Sequence, residues 1–245
     1  MAKLQAEGDC RAYGDGTIAG LLASMDAAGI EVSVVSAIAT KPDQAQGILN
    51  WCGKIRSDRL IPFPSVHPDD PAAAPGIVRI AEAGFTGIKL HPMYQNCAAD
   101  DPRMEPIYAT AVAQGLIVVS HCGRDIAYPP DDDRAAPERF ARVLERFPTL
   151  KLLATHLGGW RMWDEVEKHL LGRKVSLETS FSLEELGRQR AAEMIRRHGV
   201  DAVLFGSDWP WEDQTEQVAL VRGLGLTEAE QAALLATNAA RLLGR

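Results

Sequence analysis

The chain has 245 residues, of which 46% are hydrophobic and 24% are charged, so it can bury a sizeable core. Its formal net charge of −7 disfavours nucleic acid and anionic membranes as partners, because both select for clustered lysine and arginine. No apolar run is long enough to span a membrane, and the four cysteines form no CxxC pair. We therefore expect a cytoplasmic protein that acts on a small-molecule substrate.

Seven short apolar runs alternate with polar loops and amphipathic segments along the chain. They are rich in valine, isoleucine and leucine without strict polar alternation, which is typical of parallel strands covered on both faces. The predicted strands are residues 30–39, 60–66, 85–90, 115–120, 151–155, 175–179 and 202–207.

Local signals place the ends of several intervening helices. Thr17 and Gly29 are positioned to begin and end one helix, and Pro137 to open another over residues 138–147. Thr227 and Glu230 have the spacing of a capping box before a helix over residues 232–243.

The alternation of strand and helix continues to the last residue without a change in composition. This predicts one domain over residues 1–245 and a parallel sheet with crossover helices. The repeat length favours a TIM-like (β/α)₈ barrel over an open doubly wound sheet. Neither GxGxxG nor GxxxxGK[ST] occurs, so a nucleotide-binding fold is disfavoured. Only seven strands are predicted, one fewer than the barrel needs.

Reactive side chains are concentrated at the carboxyl ends of the predicted strands. Four of the six histidines end such strands, and Asp208 ends the last. In a parallel barrel these ends open onto one face, where such enzymes carry their active sites. Several imidazoles and a carboxylate favour a divalent metal ion, most simply Zn²⁺. We predict His121 and Asp208 as metal ligands, and His156 and Asp208 as the groups that move protons.

The neighbouring polar residues have weaker assignments. We predict that Lys89, His91 and Arg161 contact substrate, Arg161 by pairing with a carboxylate. Each candidate also has a purely structural alternative, such as a buried histidine that bonds to backbone or an aspartate that caps a loop. For His67 the alternative is a loop histidine that only bonds to backbone, and His169 and His198 lie in helical patterns and are predicted at the surface.

Five ordered motifs resemble the amidohydrolase superfamily, in particular the amidohydrolase-related branch that includes aminocarboxymuconate-semialdehyde decarboxylase. They are GFTGIKLHP at residues 84–92, VVSHCG at 118–123, ATHLGG at 154–159, FGSDWP at 205–210 and NAARLL at 238–243. The resemblance covers nearly the whole chain.

This resemblance implies a distorted (β/α)₈ barrel with one divalent metal, usually Zn²⁺. His121 matches the metal-ligand histidine after the fifth strand, and His156 the histidine after the sixth that acts as acid, base or electrophile. Asp208 matches the aspartate after the eighth strand, which touches the metal and accepts a proton from its water. His91 falls where some relatives bridge metals with a lysine or carboxylate.

One departure from the family concerns the start of the chain. Relatives begin with a strand ending in His-x-His, which supplies two further metal ligands, whereas no histidine precedes His67 here. Residues 1–5 resemble the helix that follows that strand. We therefore expect a barrel missing strand 1, from a native protein that is longer. The loss of those two ligands would weaken metal binding. The open edges, residues 30–39 and 202–207, would favour a homodimer.

The same ligands serve two kinds of chemistry. The preferred function is a metal-dependent hydrolase of an amide, ester or lactone of a small organic acid, with metal-bound water as nucleophile. The alternative is a non-oxidative decarboxylase, or carboxy-lyase, of a small unsaturated or aromatic carboxylic acid. A third hypothesis of another class is a non-catalytic degenerate barrel, which only the missing first strand supports.

Overall fold

The computed structural model describes residues 12–245, so the helix expected over residues 1–5 lies outside the described residues. Seven strands alternate with helices in this part of the chain. The strands are β1 Ser33–Ser36, β2 Leu60–Phe63, β3 Gly87–Leu90, β4 Ile117–Ser120, β5 Lys151–Ala154, β6 Ser176–Glu178 and β7 Val203–Leu204. The helices are α1 Ile18–Ala28, α2 Ala45–Ile55, α3 Ala73–Glu82, α4 Glu105–Ala113, α5 Pro137–Arg146, α6 Trp163–His169, α7 Leu183–Leu186, α8 Arg188–His198, α9 Gln214–Arg222, α10 Glu228–Ala232 and α11 Asn238–Leu243.

All strand pairs are parallel, in the order β1-β2 and β3-β4-β5-β6-β7. The regular ladder stops after β2 because Pro62 and Pro64 have no N–H to donate. Two bonds connect the sheets there instead. The N–H of Lys89 donates to the carbonyl of Pro64 at 2.8 Å, and the Ser65 hydroxyl donates to the carbonyl of Lys89 at 2.7 Å. The predicted α/β barrel architecture is confirmed, and within residues 12–245 its edges are β1 and β7.

Strands β3, β4 and β7 are buried on both faces, as their unbroken apolar composition predicts, whereas the edge strand β1 leaves Val34 40% exposed. Ile88 and Val118 point to the helices and belong to the largest apolar cluster. Phe63, Ile117 and Val119 form a separate cluster on the other face. A Cβ at Gly87 would lie 2.3 Å from the ring of Phe63, so glycine makes room for that ring.

The helix ends follow the predicted signals, with one difference near the C-terminus. The Thr17 hydroxyl accepts the N–H of Gly20 at 3.0 Å, and the capping box of Thr227 and Glu230 is present. The predicted helix over residues 232–243 contains a π-helical turn at Ala233–Thr237. The N–H of Phe205, the residue after β7, donates to the carbonyl of Leu234 at 2.8 Å, so this oxygen is engaged outside the helix and the turn widens.

Within residues 12–245, no helix combines the length and the apolar composition needed to cross a membrane.

Candidate active site

A cavity of about 1030 Å³ opens at the carboxyl ends of the strands and extends along the open side of the barrel. Each of β3 and β4 is followed directly by a histidine that lines it, and β5 is followed by one after Thr155. Strands β6 and β7 lead to acidic residues in the same wall. Five of the six predicted site residues therefore meet in one cavity: Lys89, His91, His121, His156 and Asp208.

Three aromatic rings stack at the edge of this cavity. The rings of Tyr94 and His91 are 3.9 Å apart and nearly parallel, and the ring of His121 lies 4.2 Å on the other side of His91. Burial lowers the pKa of both histidines well below the usual value, and nearby positive charge on other site residues lowers it further. Both imidazoles are therefore neutral at neutral pH, which is the form that binds metals.

His121 and His156 face one another, with Nδ1 of His121 3.1 Å from Nε2 of His156. Their outer nitrogens face carbonyls: Nε2 of His121 is 2.9 Å from Arg124 O, and Nδ1 of His156 is 3.2 Å from Ser180 O. Since carbonyls only accept, both outer nitrogens carry hydrogen. The Ser180 hydroxyl, 3.0 Å from the same Nδ1, donates to Glu178 and can only accept from the ring. The lone pair of the neutral His121 ring is therefore on Nδ1, which faces Nε2 of His156, and a proton or a cation bound between the two nitrogens would satisfy this contact.

The backbone of His156 is held in an unusual conformation. Its φ is +60° and that of Leu157 is +48°, a region that non-glycine residues seldom occupy. The N–H of His156 donates to Oε1 of Glu178 at 2.8 Å, and the indole N–H of Trp163 donates to the His156 carbonyl at 3.1 Å. These two bonds fix the turn that carries the imidazole into the cavity.

Asp125 is a site residue that the sequence reasoning missed. It lies in the loop after β4, and one ligand atom each from His91, His121 and Asp125 lie within 4.8 Å of one another. Its carboxylate accepts the N–H of Ala127 at 2.8 Å and is hydrogen-bonded to the hydroxyl of Tyr94. The one indication in the sequence is its position four residues after His121, in a loop for which no function was predicted. Asp208 is outside this cluster.

Lys89 is buried in the cavity wall, with 7% of its surface exposed. Burial lowers the pKa of its ammonium group, and the carboxylates of Asp208 and Glu178 oppose that shift. Within residues 12–245, no oxygen or nitrogen atom forms a hydrogen bond or an ion pair with Lys89 Nζ.

The remaining predicted residues lie elsewhere. Arg161 is outside the cavity lining, and its guanidinium pairs with Glu185 at 2.8 Å. His67 is buried, and its Nδ1 accepts the N–H of Asp69 at 3.1 Å, which holds the loop after β2. The surface prediction for His198 is wrong, because this face of α8 packs inward and the ring N–H donates to the carbonyl of Val175 at 2.9 Å.

Comparisons with known proteins identify the family of this chain. The model of the amidohydrolase family matches residues 6–245. A search of curated protein sequences finds no significant match.

Solved structures of similar fold include three aromatic acid decarboxylases. Crystal structures of 5-carboxyvanillate decarboxylase LigW from Sphingomonas paucimobilis and 2,6-dihydroxybenzoate decarboxylase from Rhizobium superpose with TM-scores of 0.75 and 0.71. Each is 20% identical in sequence and covers 93% of this chain, with 83% and 88% of their own chains covered. A 5-carboxyvanillate decarboxylase from Novosphingobium aromaticivorans, in complex with manganese and 4-hydroxy-3-methoxy-5-nitrobenzoic acid, has a TM-score of 0.72 at 18% identity and covers 92% of this chain and 79% of its own. Since the family match extends over nearly the whole sequence, the chain belongs to the amidohydrolase family.

Proposed function

We propose that this protein is a metal-dependent carboxy-lyase that releases CO₂ from a small aromatic or unsaturated carboxylic acid. The observation that carries the proposal is a cluster of three histidines and a buried lysine in a cavity with aromatic walls. The wall rings are Tyr94, Trp160, Phe181, Trp209 and Trp211. Flat rings fit such walls, and the polar cluster fits the carboxyl group. The decarboxylases among the similar structures support this choice over hydrolysis.

The residues of the site fit a divalent metal ion. His91 and His121 supply neutral imidazoles and Asp125 a carboxylate, a donor set that suits Zn²⁺ and similar ions. The Tyr94 hydroxyl and the Ala127 N–H orient the carboxylate from outside, as partners of metal ligands do. We propose Zn²⁺ as the ion, which would act as a Lewis acid toward a substrate oxygen.

Decarboxylation replaces a carbon–carbon bond with a carbon–hydrogen bond, so a residue must deliver one proton to carbon as CO₂ leaves. We assign this proton to His156. Its Nε2 lies 3.1 Å from Nδ1 of His121, so the imidazole reaches the candidate metal cluster at which the acid would bind. Asp208 lines the same cavity and would exchange the proton with solvent through its exposed surface.

The test is CO₂ release from a panel of hydroxybenzoates and unsaturated acids, measured with protein loaded with Zn²⁺ or Mn²⁺. We expect turnover of at least one aromatic acid and its loss in His156→Gln. His169→Gln is the matched control, because that ring pairs with Glu165 on α6, outside the cavity lining. No CO₂ from any acid would contradict the proposal.

Hydrolysis is the second candidate, favoured by the amidohydrolase description of the family. A parallel panel of lactones, esters and amides tests it with the same loaded protein. Ring opening or amine release, without CO₂ from the acids, would make the protein a hydrolase. Loss of that activity in His156→Gln would then assign the same histidine to hydrolysis.

A further inference from the structure

We propose that the ammonium group of Lys89 binds the carboxylate of the substrate, an inference that rests on the proposed function and identifies the residue that recognises the acid. Lys89 is one of three residues that the sequence predicts to contact substrate, with His91 and Arg161. The structure separates the three. Arg161 is paired outside the cavity lining, and His91 belongs to the candidate metal cluster. Lys89 alone of the three is a buried cation without an ion pair among the described residues.

The position of Lys89 is fixed by the backbone of β3. Its N–H donates to the carbonyl of Pro64, and its carbonyl accepts the hydroxyl of Ser65. Lys89 and His91 are two residues apart, so both side chains lie on the face of the strand that lines the cavity. The stem of the lysine therefore leaves a rigid strand, and its charged end lies beside the histidines.

The surrounding carboxylates do not neutralise this ammonium group directly. Glu178 and Asp208 influence Lys89 electrostatically, yet neither has an oxygen within 4.0 Å of Nζ. Both oxygens of Glu178 are already used, by the N–H groups of His156 and Ser180 and by the Ser180 hydroxyl. A buried charge without a bonded partner is costly, and an anion bound in the cavity would remove that cost.

Among residues 12–245, the other partly buried lysine and arginine side chains form ion pairs with carboxylates, so Lys89 is an exception. Arg139 and Arg142 share the carboxylate of Asp100, with one bond of 2.7 Å each. Lys89 lies deeper than either arginine and has no such partner among residues 12–245. An open bonding position on a buried cation, in a cavity with aromatic walls, fits the carboxylate of an aromatic acid.

The experiment compares benzoate with benzamide, which has the same shape but no charge. Binding to the metal-loaded protein is followed by tryptophan fluorescence, since Trp160, Trp209 and Trp211 line the cavity. We expect the wild type to bind benzoate about 10-fold or more tightly than benzamide. In Lys89→Met this preference is expected to vanish, whereas the exposed control Lys168→Met retains it.

Two further measurements keep the result unambiguous. Thermal unfolding should show Lys89→Met to be at least as stable as the wild type, because the substitution removes a buried unpaired charge. If Lys89→Met does not fold, Lys89→Gln replaces it in the same titration. A preference for benzoate that persists in the folded variant overturns the proposal. So does a preference that disappears only when the metal is removed by chelation, since the metal would then hold the carboxylate.

These experiments distinguish failure of the proposed carboxylate contact of Lys89 from failure of the proposed lyase activity. Benzoate titration requires no reaction, so loss of the preference in Lys89→Met supports the carboxylate contact even if no acid on the panel releases CO₂. In that case the proposed lyase activity is wrong and the anion site stands. If CO₂ is released and Lys89→Met leaves both the benzoate preference and KM unchanged, the lyase activity stands and the role of Lys89 is wrong.

Discussion

The carboxylate of Glu178 accepts the backbone N–H of His156 at 2.8 Å, linking the end of β6 to the turn after β5. The same carboxylate accepts the N–H and the hydroxyl of Ser180, and that hydroxyl lies 3.0 Å from the ring of His156. One buried acid thus holds both the strained backbone and the ring orientation of the proposed proton donor. A Cβ at Gly206 would lie 1.6 Å from Glu178, so glycine at that position is required for this arrangement.

Glu178→Gln should therefore reduce stability and activity together. Three donors converge on the carboxylate, whereas glutamine offers one oxygen and turns an NH₂ group toward a donor. We expect a loss of about 1–3 kcal/mol in the free energy of unfolding, measured with urea. The misplaced imidazole should lower kcat about 10- to 100-fold with little change in KM. Glu145→Gln, at an exposed ion pair with Arg173, is the control; equal kcat in both variants would exclude a positioning role.

Metal analysis should separate the two ligand sets that sequence and structure suggest. The motifs point to His121 with Asp208, whereas the geometry groups His121 with His91 and Asp125. We expect His121→Ala and Asp125→Asn to lose most of the bound Zn²⁺, because each removes one of three protein ligands. Asp208→Asn should keep most of it.

The reverse pattern would restore the ligand set inferred from the motifs. Asp133→Asn serves as the control, since its carboxylate is exposed and pairs with Arg139. Zinc is measured by elemental analysis after gel filtration, so that weakly bound ions are removed. Retention of zinc in Asp125→Asn together with its loss in Asp208→Asn would show that the cluster after β4 does not bind the ion.

Arg161 should contribute little to substrate binding. Its guanidinium is bidentate with Glu185 and stacks 4.2 Å from the ring of Trp160, on the outer side of the cavity wall. We expect Arg161→Met to change KM by less than about two-fold and stability by less than about 1 kcal/mol, as is usual for exposed ion pairs. A large rise in KM would show that Arg161 reaches the substrate.

The sequence predicted the strands and the positions of the reactive residues well, for a physical reason. A residue at the carboxyl end of a parallel strand emerges at one edge of the sheet, so His91, His121 and His156 had to meet there. The same reasoning placed Lys89 and His91 on one face of β3, since side chains alternate along a strand.

Residues in loops could not be placed in this way. Asp125 joins the candidate metal cluster only because the loop after β4 folds back over His91, which no periodic pattern records. Arg161 lies two residues after a glycine pair at a φ of +55°, and no periodic pattern in the sequence predicts the direction of its side chain. Whether His198 is buried or exposed depends on which face of α8 packs inward, and a single histidine in the sequence does not indicate that face.

The buried His198 should make the protein less stable in mild acid. Burial lowers its pKa, and its two nitrogens are occupied by the carbonyl of Val175 and the N–H of Gly172, so the folded state favours the neutral ring. The unfolded chain takes up a proton near pH 6.5, so the stability from this residue is complete above that pH and falls as the pH decreases below it, by up to about 1.4 kcal/mol per pH unit.

Urea unfolding between pH 5 and 8 should show a steeper decline of the free energy of unfolding below pH 6.5 for the wild type than for His198→Gln, with parallel curves above pH 7. His169→Gln is the control, because that ring is partly exposed and lies 3.1 Å from the carboxylate of Glu165 on the surface of α6. Equal slopes for the wild type and His198→Gln would mean that the buried ring accepts the proton as readily as the unfolded chain does.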